Sequence, residues 1–215
     1  MDLPTLINEC SPHVGAVTMA AIVRTESSNN PWAIGDDTDG RSYMMRSKED
    51  AVAQAIELLR QGHKIGIGLG QISSRNLARD RLNLTVEQAF DPCTNLIAAQ
   101  RVLTWGYERA VKRFGPGQDA LLAAVSAYNT GSLQAGFSNG YVAKVTNNAG
   151  MKIEINIPSF ATGQIVRGRR GSVRVGAGGT LSPYDAPLDA FGPAPTAKSV
   201  AYTGPKNAPL EIEGF

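Results

Sequence analysis

The stretch that decides the fold is residues 21–35, Ala-Ile-Val-Arg-Thr-Glu-Ser-Ser-Asn-Asn-Pro-Trp-Ala-Ile-Gly, an apolar helical segment that ends near one carboxylate, Glu26. Met19, Ile22 and Val23 precede this carboxylate by seven, four and three residues, which predicts one shared helical face. Serine, asparagine and proline follow directly, and such residues end a helix. We therefore expect a carboxyl group at the inner end of a helix and at the lip of a loop, a place suited to a proton donor.

The composition limits the classes of function. The chain has 215 residues and an apolar content of 42%, which suits one domain with an appendage. Its net charge of +2 is too small to indicate a nucleic-acid partner. The longest near-continuous apolar run, residues 16–23, is too short to span a bilayer, so we expect no transmembrane segment. No signal peptide is visible at the start of the sequence.

The sequence contains two cysteines, Cys10 and Cys93, and two interpretations of them stay open. They can be separate buried thiols, or they can form a disulfide that ties the N-terminus to the middle of the domain. A bridge across so long a loop would stabilise the fold by roughly 4 kcal/mol in the chain-entropy model. It would also indicate an oxidising compartment.

Capping residues and apolar spacing predict a succession of helices. Glycine-punctuated residues 65–72 cannot form a stable helix, and residues 33–46 read as a polar loop. The pattern predicts an all-α domain. The expected helices cover residues 11–25, 47–61, 76–81, 85–90, 91–114, 119–129 and 141–145.

The composition changes at residue 151. Seven of the twelve prolines lie in residues 151–215, together with many glycines and a basic cluster at residues 167–170. Such a segment buries little apolar area, so we predict a flexible C-terminal tail. The basic cluster is interpreted as a solvated run.

The sequence context argues against a serine hydrolase and against a metal site. The Gly-x-Ser-x-Gly pattern at residues 136–140 has no histidine after it, because the last histidine is His63, and a serine hydrolase is therefore excluded. His13 and His63 have no ligand partners at metal spacing. We expect neither a metal site nor a cofactor.

Two further segments carry polar residues in unusual surroundings. Gln71 emerges from residues 68–72, where glycines would let a bulky ligand approach the main chain. Tyr128 lies on the apolar face of its expected helix, so its hydroxyl needs a buried partner, and a carboxyl group is a candidate.

Four motifs follow one another along the chain: Glu26-Ser27 with residues 30–34, residues 68–72, residues 127–131 and residues 139–142. Together they resemble the lytic transglycosylases with a goose-type-lysozyme-like (SLT) domain, and more narrowly the VirB1-type members of type IV secretion and conjugation systems. The Asp-Pro-Cys sequence at residues 91–93 and the early Cys10 also look like that subgroup. The resemblance covers about residues 6–146.

The resemblance implies a lysozyme-like helical fold and one catalytic carboxyl group. Glu26 would protonate the β-1,4 glycosidic oxygen between N-acetylmuramic acid (MurNAc) and N-acetylglucosamine (GlcNAc). It would then deprotonate the C6 hydroxyl of the muramyl residue, which gives a 1,6-anhydro product. The apolar stripe beside Glu26 would raise the pKa of its carboxyl group, as burial does in lysozyme.

The same resemblance implies supporting roles for other residues. Ser27 would shape the turn behind the acid, and Gln71 would bind the sugar by a hydrogen bond. Tyr128 would hold the Glu26 carboxyl group, and Asn129 and Tyr141 would line the cleft.

Two departures from the family pattern stand out. Many members have a methionine at the position of Gly70, and the spacing from Glu26 to Gln71 is lengthened by residues 36–65. The second departure puts the register of the bound glycan in question.

The resemblance also implies partners and a location. The partners would be peptidoglycan glycan strands and type IV secretion channel proteins, and the location would be the periplasm. Two alternatives remain. One is a lysozyme-type hydrolase in which Asp36, Asp37 or Asp39 is the second carboxylate, and the other is a structural factor that binds peptidoglycan and recruits a secretion channel.

Overall fold

A computed structural model describes residues 2–150 as a mainly helical unit with one small sheet. The predicted tail, residues 151–215, lies outside the described residues. The helices are α1 (Leu3–Cys10), α2 (Ala16–Ser27), α3 (Lys48–Arg60), α4 (Val86–Ala89), α5 (Pro92–Phe114), α6 (Gln118–Thr130), α7 (Ala135–Ser138) and α8 (Tyr141–Asn148). The strands are β1 (Ala33–Asp36), β2 (Arg41–Met44), β3 (Ile65–Ile67) and β4 (Ile72–Ser73).

The predicted helical class is confirmed, and the capping residues identify most helix starts correctly. The Ser47 hydroxyl accepts a hydrogen bond from the Asp50 N–H at the start of α3 at 3.1 Å. The Asp91 carboxylate accepts a hydrogen bond from the Thr94 N–H at the start of α5 at 2.8 Å. Thr85 and a glutamine three residues later form a capping box at α4.

The predicted start of the first long helix is wrong. Ser11 does not cap a following helix; its hydroxyl donates to the Ile7 carbonyl oxygen at 2.7 Å, at the end of α1. Pro12 disfavours helical geometry in the residue before it, so α1 ends at Cys10. The next helix, α2, begins only at Ala16, after Gly15.

The prediction of a polar loop over residues 33–46 is also wrong, because this segment forms the hairpin of β1 and β2. Gly40, at a φ of +68°, closes the hairpin turn, and its N–H donates to the Asp36 carbonyl oxygen at 2.8 Å. The glycine-rich segment adds β3 and β4, which gives an antiparallel sheet in the order β2-β1-β3-β4. The strands are only two to four residues long, which explains why their alternation is weak in the sequence.

Two main apolar cores hold the elements together. The larger core packs α2, α5, α6 and α8 with α1, and the smaller one packs α3 and α4 against the sheet. Gly106 lets α5 approach α6 closely: a Cβ there would lie 3.2 Å from the Ala124 carbonyl oxygen. A disulfide between Cys10 and Cys93 joins α1 to α5. Among residues 2–150, no helix combines the length and the apolar character needed to cross a membrane.

Candidate active site

Glu26 lies in the last turn of α2, one turn after the fully buried Ile22 and Val23. The helix ends because Ser28 adopts a left-handed conformation, with a φ of +52°. Ser27 is buried, and its hydroxyl donates to the Val23 carbonyl oxygen at 3.1 Å. The carboxyl group of Glu26 is thus held at the end of a buried helix face.

Glu26 lines an open cleft with a volume of about 490 Å³. One wall comes from the sheet and the segment that follows it, and the other comes from α5 and the end of α6. The lining residues besides Glu26 are Asp37, Gly66, residues 71–73, Arg75, Asn76, Arg81, Val102, Trp105, Gly106, Arg109 and residues 127–131.

The hydroxyl group that binds Glu26 belongs to Tyr141. It donates a hydrogen bond to Oε1 of Glu26, across 115 positions of sequence. The Tyr128 hydroxyl instead donates to the Gly70 carbonyl oxygen at 2.6 Å. This corrects the expectation that Tyr128 holds the carboxyl group. The ring of Tyr128 still lines the cleft, whereas Tyr141 is buried and lies outside the lining.

The surroundings of Glu26 raise the pKa of its carboxyl group to about 7. Burial is the main cause, because it disfavours the charged form. The hydrogen bond from Tyr141 acts in the opposite direction, and the negative charge of Asp37 adds to the increase. At neutral pH the group is therefore close to half protonated, which suits a general acid.

Gln71 lies in the cleft lining, but its amide nitrogen is already occupied. It donates to the carbonyl oxygens of Ala33 at 3.0 Å and of Gly68 at 2.9 Å. The amide fits because Gly35 and Gly66 face each other across β1 and β3; a Cβ on either would lie 2.6 or 2.8 Å from the amide oxygen. Both N–H groups are thus used by the protein, and only the amide oxygen is left to accept a hydrogen bond from a ligand.

A buried asparagine that the sequence analysis did not single out fixes the glycine-rich segment to α5. Asn95 is fully buried; its amide nitrogen donates to the carbonyl oxygens of Ile67 at 2.8 Å and Ala89 at 2.7 Å. Its oxygen accepts from the Gly70 N–H at 2.7 Å. The only hint in the sequence is a polar residue within the apolar stripe of a long helix.

Asn129 lies at the end of α6, in the cleft lining, and is exposed. Its side-chain oxygen accepts a hydrogen bond from the Asn139 amide at 3.1 Å. The Asn139 oxygen in turn accepts from the Tyr141 N–H at 2.9 Å. These two hydrogen bonds connect the cleft surface to the start of α8, which carries the tyrosine that binds Glu26.

Asp36 lies at the end of β1 and not in the polar loop that the sequence predicts. It is buried, and its Oδ2 lies 2.8 Å from Nδ1 of His63. Its Oδ1 accepts from the N–H groups of Thr38 at 3.0 Å and Asp39 at 3.3 Å. The expectation that His63 has no ligand-type partner is therefore wrong, since ligand atoms of Asp36, Asp39 and His63 lie within 4.8 Å of one another. Because the hydrogen bonds of Asp36 already hold this cluster together, we interpret it as a structural contact that stabilises the hairpin.

The structure thus gathers Glu26, Gln71, Tyr128 and Asn129 in one cleft. Ser27 and Tyr141 support the acid from outside the lining. Of the three aspartates considered as a second carboxylate, only Asp37 lines the cleft. Of residues 36–65, which lengthen the spacing between Glu26 and Gln71, only Asp37 lies in the lining.

Comparison with known proteins agrees with this geometry. The family "Transglycosylase SLT domain" matches residues 6–149, about two thirds of the chain. The chain belongs to this family. It is therefore a member of a family of transglycosylases, as its motifs predict.

Proteins similar to this chain include some that are named for type IV secretion. The chain is 38% identical to "Protein virB1" of Agrobacterium fabrum over 141 residues, which are 66% of this chain and 56% of that protein. It is 32% identical to "Type IV secretion system protein virB1" of Brucella suis over 216 residues, 97% of this chain and 88% of that protein. The protein of the same name from Brucella abortus is 33% identical over 215 residues, with the same coverage. No solved structure gave a significant match.

The departure of this SLT domain at Gly70 has a structural reason. A Cβ at Gly70 would lie 2.8 Å from the Ala99 Cβ and 2.8 Å from the Tyr128 hydroxyl oxygen. Such contacts are too close for any side chain. The position expected to carry methionine is therefore closed by α5 and by the hydroxyl of Tyr128.

Proposed function

We propose that residues 6–146 form a lytic transglycosylase domain that cleaves the MurNAc-β-1,4-GlcNAc bond of peptidoglycan and leaves a 1,6-anhydro-MurNAc end. The observation that carries the proposal is the partly buried carboxyl group of Glu26, with a pKa of about 7, in an open cleft of about 490 Å³. The family match over residues 6–149 supports the same assignment.

The first step requires a protonated Glu26. Its proton passes to the glycosidic oxygen while the bond from that oxygen to C1 of MurNAc breaks, and positive charge develops at C1 and the ring oxygen. The negative charge of Asp37, in the same lining, favours that positive charge. The leaving GlcNAc gains the proton as a hydroxyl group.

The second step uses the carboxylate that remains. It takes the proton of the C6 hydroxyl of MurNAc while O6 forms a bond to C1, which closes the anhydro ring. Glu26 is then protonated again, and no water is consumed. Tyr141 holds the carboxylate between the two steps, because its hydrogen bond favours the charged form.

The remaining roles follow from the contacts of each side chain. Gln71 accepts a hydrogen bond from the sugar through its oxygen, since its nitrogen is used by Ala33 and Gly68. Tyr128 keeps Gly70 in place and presents its ring to the cleft. Asn129 contributes an exposed amide to the cleft surface, and Ser27 closes the turn behind the acid.

A lysozyme-type hydrolysis is the second candidate, because Asp37 lies in the same lining and its charge raises the pKa of Glu26. Digestion of purified cell wall in H₂¹⁸O distinguishes the two reactions by mass spectrometry. We expect anhydro-muropeptides without ¹⁸O. Reducing MurNAc ends that carry ¹⁸O would instead establish a hydrolase and overturn the anhydro mechanism.

We further propose that the enzyme works in the periplasm and opens the cell wall locally for type IV secretion or conjugative transfer. The relatives named virB1 and the disulfide between Cys10 and Cys93, which suits an oxidising compartment, support this role. In the source bacterium, deletion of the gene should lower transfer through the secretion channel. A Glu26→Gln gene that restores transfer fully would favour the structural role over the enzymatic one.

A further inference from the structure

Three arginines lie in the lining of the cleft that holds Glu26. Arg75 and Arg81 come from the segment after the sheet, and Arg109 comes from α5. The carboxyl groups in the same lining are those of Glu26 and Asp37. Because a pKa of about 7 leaves Glu26 only partly ionised at neutral pH, the lining carries a net positive charge.

These arginines have no acidic partner among residues 2–150. The ion pairs in that part of the chain are Arg60 with Glu57 and His63 with Asp36, and none of these four residues lines the cleft. A guanidinium group is always charged, and unpaired cations in a concave site attract anions. The cleft is therefore built for a ligand that is more acidic than a neutral glycan.

Two of the three guanidinium groups are held in place. Nη2 of Arg109 donates to the Gly131 carbonyl oxygen at 3.0 Å. Nη1 of Arg81 donates to the side-chain oxygen of Asn76 at 3.0 Å. A guanidinium group has five N–H donors, so one such bond orients it and leaves the others for a ligand. A planar pair of donors matches a carboxylate.

We propose that Arg75, Arg81 and Arg109 bind the carboxylates of the peptide stems that branch from MurNAc, so that the cleft selects glycan strands by the charge of their stems. The inference rests on the proposed function, since a peptidoglycan substrate brings these stems into the cleft. Stem peptides carry several carboxylates, and the attachment of a stem converts the lactyl carboxylate of MurNAc to a neutral amide. The acidic groups then lie beside the glycan backbone, where the cleft walls stand.

The test measures binding apart from cleavage. The full chain with Glu26→Gln is titrated against two end-labelled glycan strands of equal length, followed by fluorescence anisotropy. One strand has native tetrapeptide stems, and in the other the stem carboxyls are converted to amides. We expect about tenfold tighter binding of the acidic strand at low salt, the size of a few accessible ion pairs. The difference should decrease as salt rises.

Variants of the arginines assign the preference to the cleft. Replacement of all three by glutamine should bring the two dissociation constants together, whereas replacement by lysine should keep part of the difference. Arg79→Gln is the matched control, because Arg79 is exposed and lies between Arg75 and Arg81 in sequence but not in the lining. If the triple variant does not fold, Arg75→Gln alone replaces it in the test, because Arg75 is exposed. This single variant should already reduce the preference for the acidic strand.

Equal binding of the two strands by the Glu26→Gln protein would overturn the inference, and so would a preference that survives in the folded triple variant. Product analysis of the wild-type enzyme on the same strands is a separate readout. A stem preference without any cleavage would support the arginine assignment and reject the proposed reaction. Cleavage without a preference would support the proposed reaction and reject the arginine assignment.

Discussion

Two carboxyl groups, Glu26 and Asp36, lie ten residues apart, each at the end of a helix or strand, and they behave in opposite ways. Glu26 at the end of α2 receives a side-chain hydrogen bond from Tyr141, and burial raises its pKa to about 7. Asp36 at the end of β1 is also buried, which by itself raises a pKa. Hydrogen bonds from His63, Thr38 and Asp39 outweigh that effect and lower the pKa of Asp36 below its ordinary value.

The comparison shows that burial alone does not make an acid catalyst. The number of donors around the carboxylate decides whether the charged form is penalised or stabilised. With several donors, Asp36 is a structural anion that holds a hairpin. With one donor and a nearby negative charge, Glu26 keeps a proton that it can transfer at neutral pH.

The largest expected effect is on turnover. Glu26→Gln removes the only proton donor that the proposed mechanism uses, and we expect the release of anhydro-muropeptides to fall by about 10³-fold. Mass spectrometry of cell-wall digests measures the rate. Asp39→Asn is the matched control, because this exposed carboxylate lies outside the cleft, and it should retain wild-type turnover. Wild-type turnover in the Glu26→Gln protein would remove the acid role.

The next effect is on stability at neutral pH. The pKa of Glu26 is about 7 in the folded protein and 4.5 without the fold, so the folded state binds more protons between these values. The contribution of Glu26 to the free energy of unfolding is complete below pH 4.5 and is lost as the pH rises through 7. The loss amounts to roughly 3 kcal/mol.

Urea denaturation of wild type and Glu26→Gln at pH 5 and pH 8 measures this loss. The free energy of unfolding of the variant, compared with that of wild type, should be more favourable at pH 8 than at pH 5, because the glutamine side chain stays neutral. A difference between the two proteins that does not depend on pH would show that Glu26 is an ordinary solvated carboxylate.

Asp36→Asn should have the opposite pH dependence. The lowered pKa of Asp36 means that its carboxylate stabilises the fold above the ordinary value of 3.8 and that this is lost as the pH falls through the folded value. The variant should therefore melt at a lower temperature than wild type at pH 7, and the gap should narrow in strong acid. Calorimetry at neutral and at acidic pH measures this difference in melting temperature. A difference that becomes larger in acid would contradict the hydrogen bond between Asp36 and His63.

The smallest effects are shifts of the pKa of Glu26 itself. Tyr141→Phe removes the hydrogen bond that lowers this pKa and should raise it, whereas Asp37→Asn removes the charge that raises it and should lower it. NMR titration of the ¹³C-labelled Glu26 carboxyl group measures each shift. Shifts of the same sign in both variants would refute the assigned neighbours.

Much of the helical part could be predicted from the sequence. Ser47, Thr85 and Asp91 start their helices as their side chains indicate, because a cap acts within three residues. Glu26 could be identified for a similar reason, since its helix face is set by residues one and two turns before it. These are local interactions, and their signals survive in a single sequence.

The partners of the site could not be predicted in the same way. Tyr141 reaches Glu26 across 115 positions and Tyr128 reaches Gly70 across 58, and both tyrosines sit on apolar helix faces. Nothing local tells which of them meets the carboxyl group. The hairpin could not be predicted either, because strands of four residues with polar and glycine positions resemble a loop.

The sequence by itself determined the helical class, the family and the carboxyl group at the end of α2, because short-range spacing and capping specify them. The tertiary structure alone decided which tyrosine binds that carboxyl group, that Asp37 faces the cleft while Asp36 is buried against His63, and that three arginines line the same cleft. These depend on how α5, α6, α8 and the sheet pack together. A pKa or a binding surface comes from groups that only the packed fold brings within a few ångströms of one another.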